Sequence, residues 1–136
     1  MRQPCSRGNA ANYAQRAVTT GGTIDLALDG EVCVVAVRGE HDLATAEALR
    51  RQLEELRAQG CPFVVDLTEA TFIDSAVLGV LIGEHDRAVA YGLRAEFVVG
   101  EGSGYSVRKI IDLAGVRAVL PISETRDAAL AAIRGG

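Results

Sequence analysis

The apolar residues of this chain change their repeat length over and over from residue 23 onward, and that alternation confines it to one class of fold. Over residues 23–28 they recur at every second position, with Ile24, Leu26 and Leu28 on one face and Thr23 and Asp25 on the other, as on a half-buried edge strand. Asp29-Gly30 tolerates the positive φ angles of a two-residue turn, so residues 32–37 are expected to return antiparallel beside the first strand. Apolar side chains on both faces of that second run mark it as central. From Leu43 the spacing becomes three and four: Ala46, Leu49, Leu53 and Leu56 form the inner stripe of an amphipathic helix that Gly60 closes.

The switch then repeats. Residues 63–67 read as a buried strand, 68–74 as a polar link, and Leu78, Leu81, Ile82, His85 and Val89 as the inner face of a helix ended by Gly92. A strand over 94–99, a helix over 106–114 with Val107, Ile110, Ile111 and Ala114 inward, a strand over 116–120 and a helix over 125–133 complete the order. Such alternation gives an α/β fold: a mixed sheet, with an N-terminal antiparallel hairpin and then parallel strands joined by right-handed helical crossovers. Residues 23–136 make one domain; residues 1–22, polar and without the apolar core of a secretory signal, read as a disordered tail. Loops leaving the carboxyl ends of parallel strands gather at one edge of such a sheet, where ligands and partners meet it. Three qualify here, 39–42, 71–75 and 100–104.

Charge and composition narrow the partner. Residues 1–22 carry +3 and the rest −7, a balance that repels phosphate backbones and anionic membranes and suits a basic protein surface. Aromatics at 4% leave few platforms for stacking bases, and no apolar run approaches the ~18 residues of a membrane span. A protein partner is expected, without direct nucleic acid and without a membrane. Cys5, Cys33 and Cys61 are odd in number and far apart, and His41 and His85 are the only imidazoles. Isolated cytosolic thiols are therefore expected, with no metal site and no cofactor.

Asp74-Ser75 stands where a loop enters a helix. One of the two residues caps that helix by accepting backbone N–H bonds. The serine is also placed so that a phosphate on it would face free N–H groups and the positive end of the helix dipole. The same phosphate would bring about −1.5 to −2 charge beside Asp74, Glu40 and Asp42 and repel a docked partner. Asp42 serves equally as cap of the first helix, Glu40 as a solvated side chain and Thr71 as a loop hydroxyl; His85 reads as a packing residue.

Enzymatic alternatives lack parts. The loop 100–104 has neither the Lys-Ser/Thr ending of a phosphate-binding loop nor the third glycine of a dinucleotide site, and reads as a tight turn that admits a neighbouring loop or partner. A receiver domain phosphorylated on Asp74 would need an acidic pair and a lysine at a strand end, whereas Lys109, the one lysine, lies within a predicted helix. A hydrolase built on Ser103 would need glycine where Glu101 stands.

The stretch from Gly39-Glu40-His41-Asp42 to Ala46, Val64-Val65-Asp66-Leu67, and Thr71-Phe72-Ile73-Asp74-Ser75-Ala76-Val77-Leu78-Gly79-Val80-Leu81 together resemble a STAS domain, and more narrowly the bacterial anti-sigma factor antagonists. The resemblance runs over nearly all of 23–133. It implies a cytoplasmic binding protein that docks on an anti-sigma factor with serine kinase activity, frees the sigma factor, and is switched off when that kinase phosphorylates Ser75. It also implies a partner surface of Glu40, Asp42, Thr71, Asp74, Ser75, Ala76, Val77 and Leu78. The family commonly reads Asp-Ser-Ser-Gly-Leu-Gly where this chain has Asp74-Ser75-Ala76-Val77-Leu78-Gly79, so Val77 is expected to add bulk where a bare backbone would let the partner approach. The alternative is a phosphorylation-independent STAS scaffold or stress-signalling module that binds another protein or a nucleotide.

Overall fold

A computed structural model describes residues 16–18 and 21–135, the first three by their backbone alone. Among the described residues seven strands, β1 (Arg16–Val18), β2 (Gly22–Asp29), β3 (Val32–His41), β4 (Phe63–Asp66), β5 (Ala70–Ile73), β6 (Ala95–Val98) and β7 (Ile122–Ser123), form one sheet in the order β1-β2-β3-β4-β6-β7, with β5 paired to the end of β3. β2 (Gly22–Asp29) and β3 (Val32–His41) form the expected hairpin, paired antiparallel from Gly22↔Gly39 to Asp29↔Val32. β1 (Arg16–Val18) lies antiparallel on β2. β4 (Phe63–Asp66), β6 (Ala95–Val98) and β7 (Ile122–Ser123) add parallel strands beyond β3. The disordered tail expected over 1–22 falls mostly outside the described residues; within it, β1 and the first residue of β2 are strand.

Helices α1 (Leu43–Ala58), α2 (Ser75–Ala90) and α3 (Tyr105–Leu113) connect the parallel strands and share one core with the sheet, which holds Leu49, Leu53, Leu56, Phe63, Val65, Leu81, Phe97 and Ile111. α4 (Arg126–Gly135) covers the other face, where Ala129, Leu130 and Ile133 meet Val32, Val34, Val64 and Val98. That second cluster explains why β3 and β4 are apolar on both faces. Cys33 is a buried free thiol, its pKa pushed up to about 12 by burial. Cys61 is disulfide-bonded, which corrects the expectation of three isolated thiols, and Cys5 lies outside the described residues.

Five expectations are corrected. The expected loop 39–42 is strand as far as His41, and the expected link 68–74 contains β5 (Ala70–Ile73), because these two segments pair with each other. The register shifts between Gly39 and Glu40, and Gly39 at φ +81 leaves no room for a Cβ, which would lie 2.5 Å from the Gly21 carbonyl oxygen. Residues 116–118 form a 3-10 turn instead of a strand, since Val116 and Leu120 turn inward four residues apart while Arg117, Ala118 and Val119 face solvent; the strand follows Pro121. On α2 the buried side chains are Val77, Leu78, Leu81, Glu84 and Ala88, and Val89 is exposed. Glu84 takes a core position because Arg57 of α1 and Arg87, at 3.0 Å, neutralise it. On α3, Ala114 is exposed instead of inward.

Candidate functional site

The three segments that sequence placed at one edge do converge there. Parallel pairing puts Glu40 beside Phe72 and His41 beside Ile73, and the next residue along each chain, Asp42 and Asp74, caps a helix. The Asp42 side chain accepts from the Ala44 N–H at 2.9 Å, while the Thr45 hydroxyl accepts from the Asp42 N–H at 3.1 Å. The Asp74 side chain accepts from the Val77 N–H at 3.0 Å. Both capping roles anticipated for these aspartates are therefore filled. Two helices consequently start side by side at this edge, each presenting the positive end of its dipole.

Alternation along β3 separates what faces solvent from what does not. Glu40 and Asp42 are exposed, whereas His41 between them is buried, held between the Arg38 carbonyl at 2.9 Å and the Thr45 hydroxyl at 3.1 Å. His41 thus ties the strand end to the first turn of α1 and leaves the carboxylates outward.

The third segment closes the edge from the other side. Gly104 donates its N–H to the Ala70 carbonyl at 2.8 Å, and the Ser106 hydroxyl donates to the Thr71 carbonyl at 2.9 Å. A Cβ at Gly104 would sit 2.6 Å from the Thr71 carbonyl oxygen, so glycine is required by the closeness of the two chains. Ser103 is buried, donates to the Leu67 carbonyl at 2.9 Å and accepts from the Gly100 N–H at 3.2 Å. It is a strut of the loop, out of reach of a substrate. The 100–104 loop is occupied in holding β5, as the tight-turn reading anticipated.

Ser75 is exposed at the first position of α2, directly after the cap. The first-turn N–H groups of a helix have no intrahelical acceptor, and the Asp74 side chain takes that of Val77, which leaves those of Ser75 and Ala76 beside the serine hydroxyl. A phosphate there would stand beside the N–H groups and dipole of the first turn of α2, and next along the chain from the Asp74 carboxylate.

Of the eight residues expected on the partner surface, Glu40, Asp42, Thr71 and Ser75 are exposed, and Asp74 and Ala76 are half-buried. Val77 and Leu78 are corrected: their side chains lie in the core at 0% and 6% exposure. Val77 follows Ser75 by two positions, about 200° around the helix, so an outward serine dictates an inward valine. The bulk expected at the surface is absent from it. Three apolar side chains that sequence reasoning passed over belong to this edge instead, Leu43 at 73% exposure, Phe72 at 40% and Tyr105 at 71%. Leu43 lies off the helical stripe and Phe72 interrupts a polar link, and those mismatches were the available signals. His85 packs its ring edge against Phe97, with centroids 5.9 Å apart, as a packing residue does.

Among the described residues no group of three or more His, Cys, Asp or Glu is placed to hold a metal ion, and no helix is long and apolar enough to cross a membrane.

Comparison with known proteins agrees with the geometry. The STAS domain family model matches residues 23–129. The anti-sigma-F factor antagonist RsfB of Mycobacterium tuberculosis is 31% identical over 118 residues, covering 84% of this chain and 91% of that protein. The crystal structure of an anti-sigma factor antagonist from Mycobacterium paratuberculosis superposes with a TM-score of 0.74 at 28% identity, over 87% of this chain and 98% of the other. The anti-sigma factor antagonist SpoIIAA in its unphosphorylated form shares the fold, with a TM-score of 0.68 at 22% identity over 83% of this chain and 97% of that one.

Proposed function

The chain belongs to the STAS domain family, in its anti-sigma factor antagonist branch, and we propose that it binds an anti-sigma factor with serine kinase activity, releases a sigma factor by doing so, and is switched off by phosphorylation of Ser75. The observation that carries this reading is Ser75 itself, exposed at the first position of α2 directly after its Asp74 cap, on the edge where Glu40 and Asp42 are exposed as well. The unphosphorylated edge is acidic, with Leu43 and Phe72 exposed beside the charges, and suits a partner surface that is basic and partly apolar.

In the switching step the Ser75 Oγ attacks the γ-phosphorus of ATP held by the partner. The new Oγ–P bond forms as the bond to the bridging oxygen breaks, ADP leaves, and the serine proton passes to a base of the kinase. This chain supplies the acceptor and its presentation; it is a binding protein and a kinase substrate, not a catalyst. Once attached, the phosphate puts the bulk and about −1.5 to −2 charge of a strongly hydrated group into a close-packed, partly apolar contact, and its steric clash and desolvation cost weaken the complex that first held the serine.

Intact-mass measurement after incubation with ATP and each anti-sigma kinase of the host tests the reading. One added phosphate that disappears in Ser75→Ala, together with loss of the complex on phosphorylation, is the expected result. Stable complexes without any added phosphate would instead identify a phosphorylation-independent binding module.

A further inference from the structure

Beside the serine edge, β5 and α3 enclose a groove of about 600 Å³ lined by Phe72, Ile73, Tyr105, Lys109, Ile110 and Leu113. Its walls are apolar, and its rim carries Tyr105 and Leu113 at 71% and 76% exposure. Large apolar side chains gathered around a concavity, as opposed to scattered singly, mark an interaction surface. Neither the capping of α2 nor the presentation of Ser75 uses this groove.

Its charge indicates what it takes. Residues 23–136 carry −7, and among the described residues the arginines of α1, α2 and α4 are engaged by carboxylates. Among the described residues, no carboxylate pairs with Arg108 or Lys109 on α3; the Lys109 ammonium instead stands 5.8 Å above the Tyr105 ring. Two available cations on the helix that forms one wall of an apolar groove, in an otherwise acidic domain, complement a segment that is apolar on one face and acidic on the other.

We propose that the β5–α3 groove docks an amphipathic acidic segment of the same partner whose kinase acts on Ser75. Phe72 makes the two surfaces continuous, since it lines the groove and pairs with Glu40 at the serine edge. The partner would therefore meet two fields of opposite sign, basic groups against Glu40, Asp42 and Asp74, and acidic groups against Arg108 and Lys109. Such a pattern fixes the orientation in which Ser75 is presented, because a reversed partner faces like charges at both ends. This inference rests on the function proposed above.

The test is steady-state phosphorylation and calorimetric titration of the full chain with its anti-sigma kinase, comparing wild type, the double charge reversal Arg108→Glu/Lys109→Glu, and Leu113→Ser. All three changed side chains are exposed, and thermal melts within a few degrees of wild type check that the fold is kept. Each variant is expected to raise KM for the antagonist and weaken binding by about tenfold or more, with kcat at saturation unchanged. Phosphorylation of wild type with KM and Kd unmoved in the variants would overturn the groove proposal and leave the function standing. A wild-type chain that neither binds nor accepts phosphate from any such kinase would overturn both. Sedimentation showing that Leu113→Ser abolishes a dimer, or tighter kinase binding after removal of residues 1–15, which leaves β1 in place, would assign the groove to a second copy or to this chain's own N-terminal segment and would equally overturn it.

Discussion

Val77→Ala is expected to destabilise the domain by about 2 kcal/mol while leaving phosphorylation of Ser75 in the folded protein unchanged. Val77 is fully buried in the core beneath α2. Truncation removes two buried methyl groups, each contributing about 0.8 kcal/mol, and leaves a small cavity that adds about 1 kcal/mol because its neighbours relax only in part. The better helix propensity of alanine returns about 0.5 kcal/mol. For a domain of this length the net loss corresponds to a fall in Tm of roughly 8 °C. Urea denaturation and thermal melts measure the loss, and the initial rate of Ser75 phosphorylation, taken well below Tm, measures the surface. The expected pair is a clear stability loss with an unaltered rate. An unchanged Tm accompanied by tighter partner binding would refute the inward placement and restore Val77 as surface bulk.

Glu84→Ala is expected to cost about 3 kcal/mol by urea denaturation, since it leaves Arg57, itself largely buried, with only the half-exposed Glu54 carboxylate at 3.7 Å as counter-charge; Glu84→Gln, which still accepts from one guanidinium, is expected to cost less. Burial raises the Glu96 carboxyl above its ordinary pKa against the opposing pull of Arg94. The folded chain therefore holds that proton more tightly than the unfolded chain, and ionised Glu96 works against folding above its pKa. Glu96→Gln is accordingly expected to raise Tm at neutral pH and to lose that advantage by about pH 3.5, where both states are protonated; an advantage that grows on acidification would contradict this sign. Gly104→Ala drives a Cβ toward the Thr71 carbonyl and is expected to cost about 1 to 3 kcal/mol, with amide exchange accelerated first across residues 70–73. Uniform acceleration through β2 and β3 would show that the contact is not local.

The hairpin, the three crossover helices, α4 and the convergence of three segments on one edge were legible because long apolar stripes carry their own period. Shorter features were not. β5 has four residues of which only Ala70 and Ile73 are buried, and its pairing is with the end of β3, a long-range contact that no local pattern encodes. The 3-10 turn at 116–118 resembled a strand because Val116, Val119 and Leu120 are β-formers, while burial follows a spacing of four. Glu84 escaped notice because its burial depends on an arginine 27 residues away. At the site, a local motif anticipated a capped helix start at Asp74-Ser75, which the structure has, yet it did not give the direction of each neighbouring side chain. Helical geometry alone supplies that, and it turns Val77 and Leu78 inward.

The burial alternation along residues 71–79 has a consequence for how such a protein diversifies. Phe72, Ser75 and Gly79 face solvent, while Ile73, Val77 and Leu78 face the core. Within nine consecutive residues, then, one set is free of the core and the other is bound to it. Duplicated copies of this domain within one genome can drift apart at the outer positions and acquire separate partners without renegotiating stability. Changes at the inner positions are felt by the whole domain and say nothing about whom it binds.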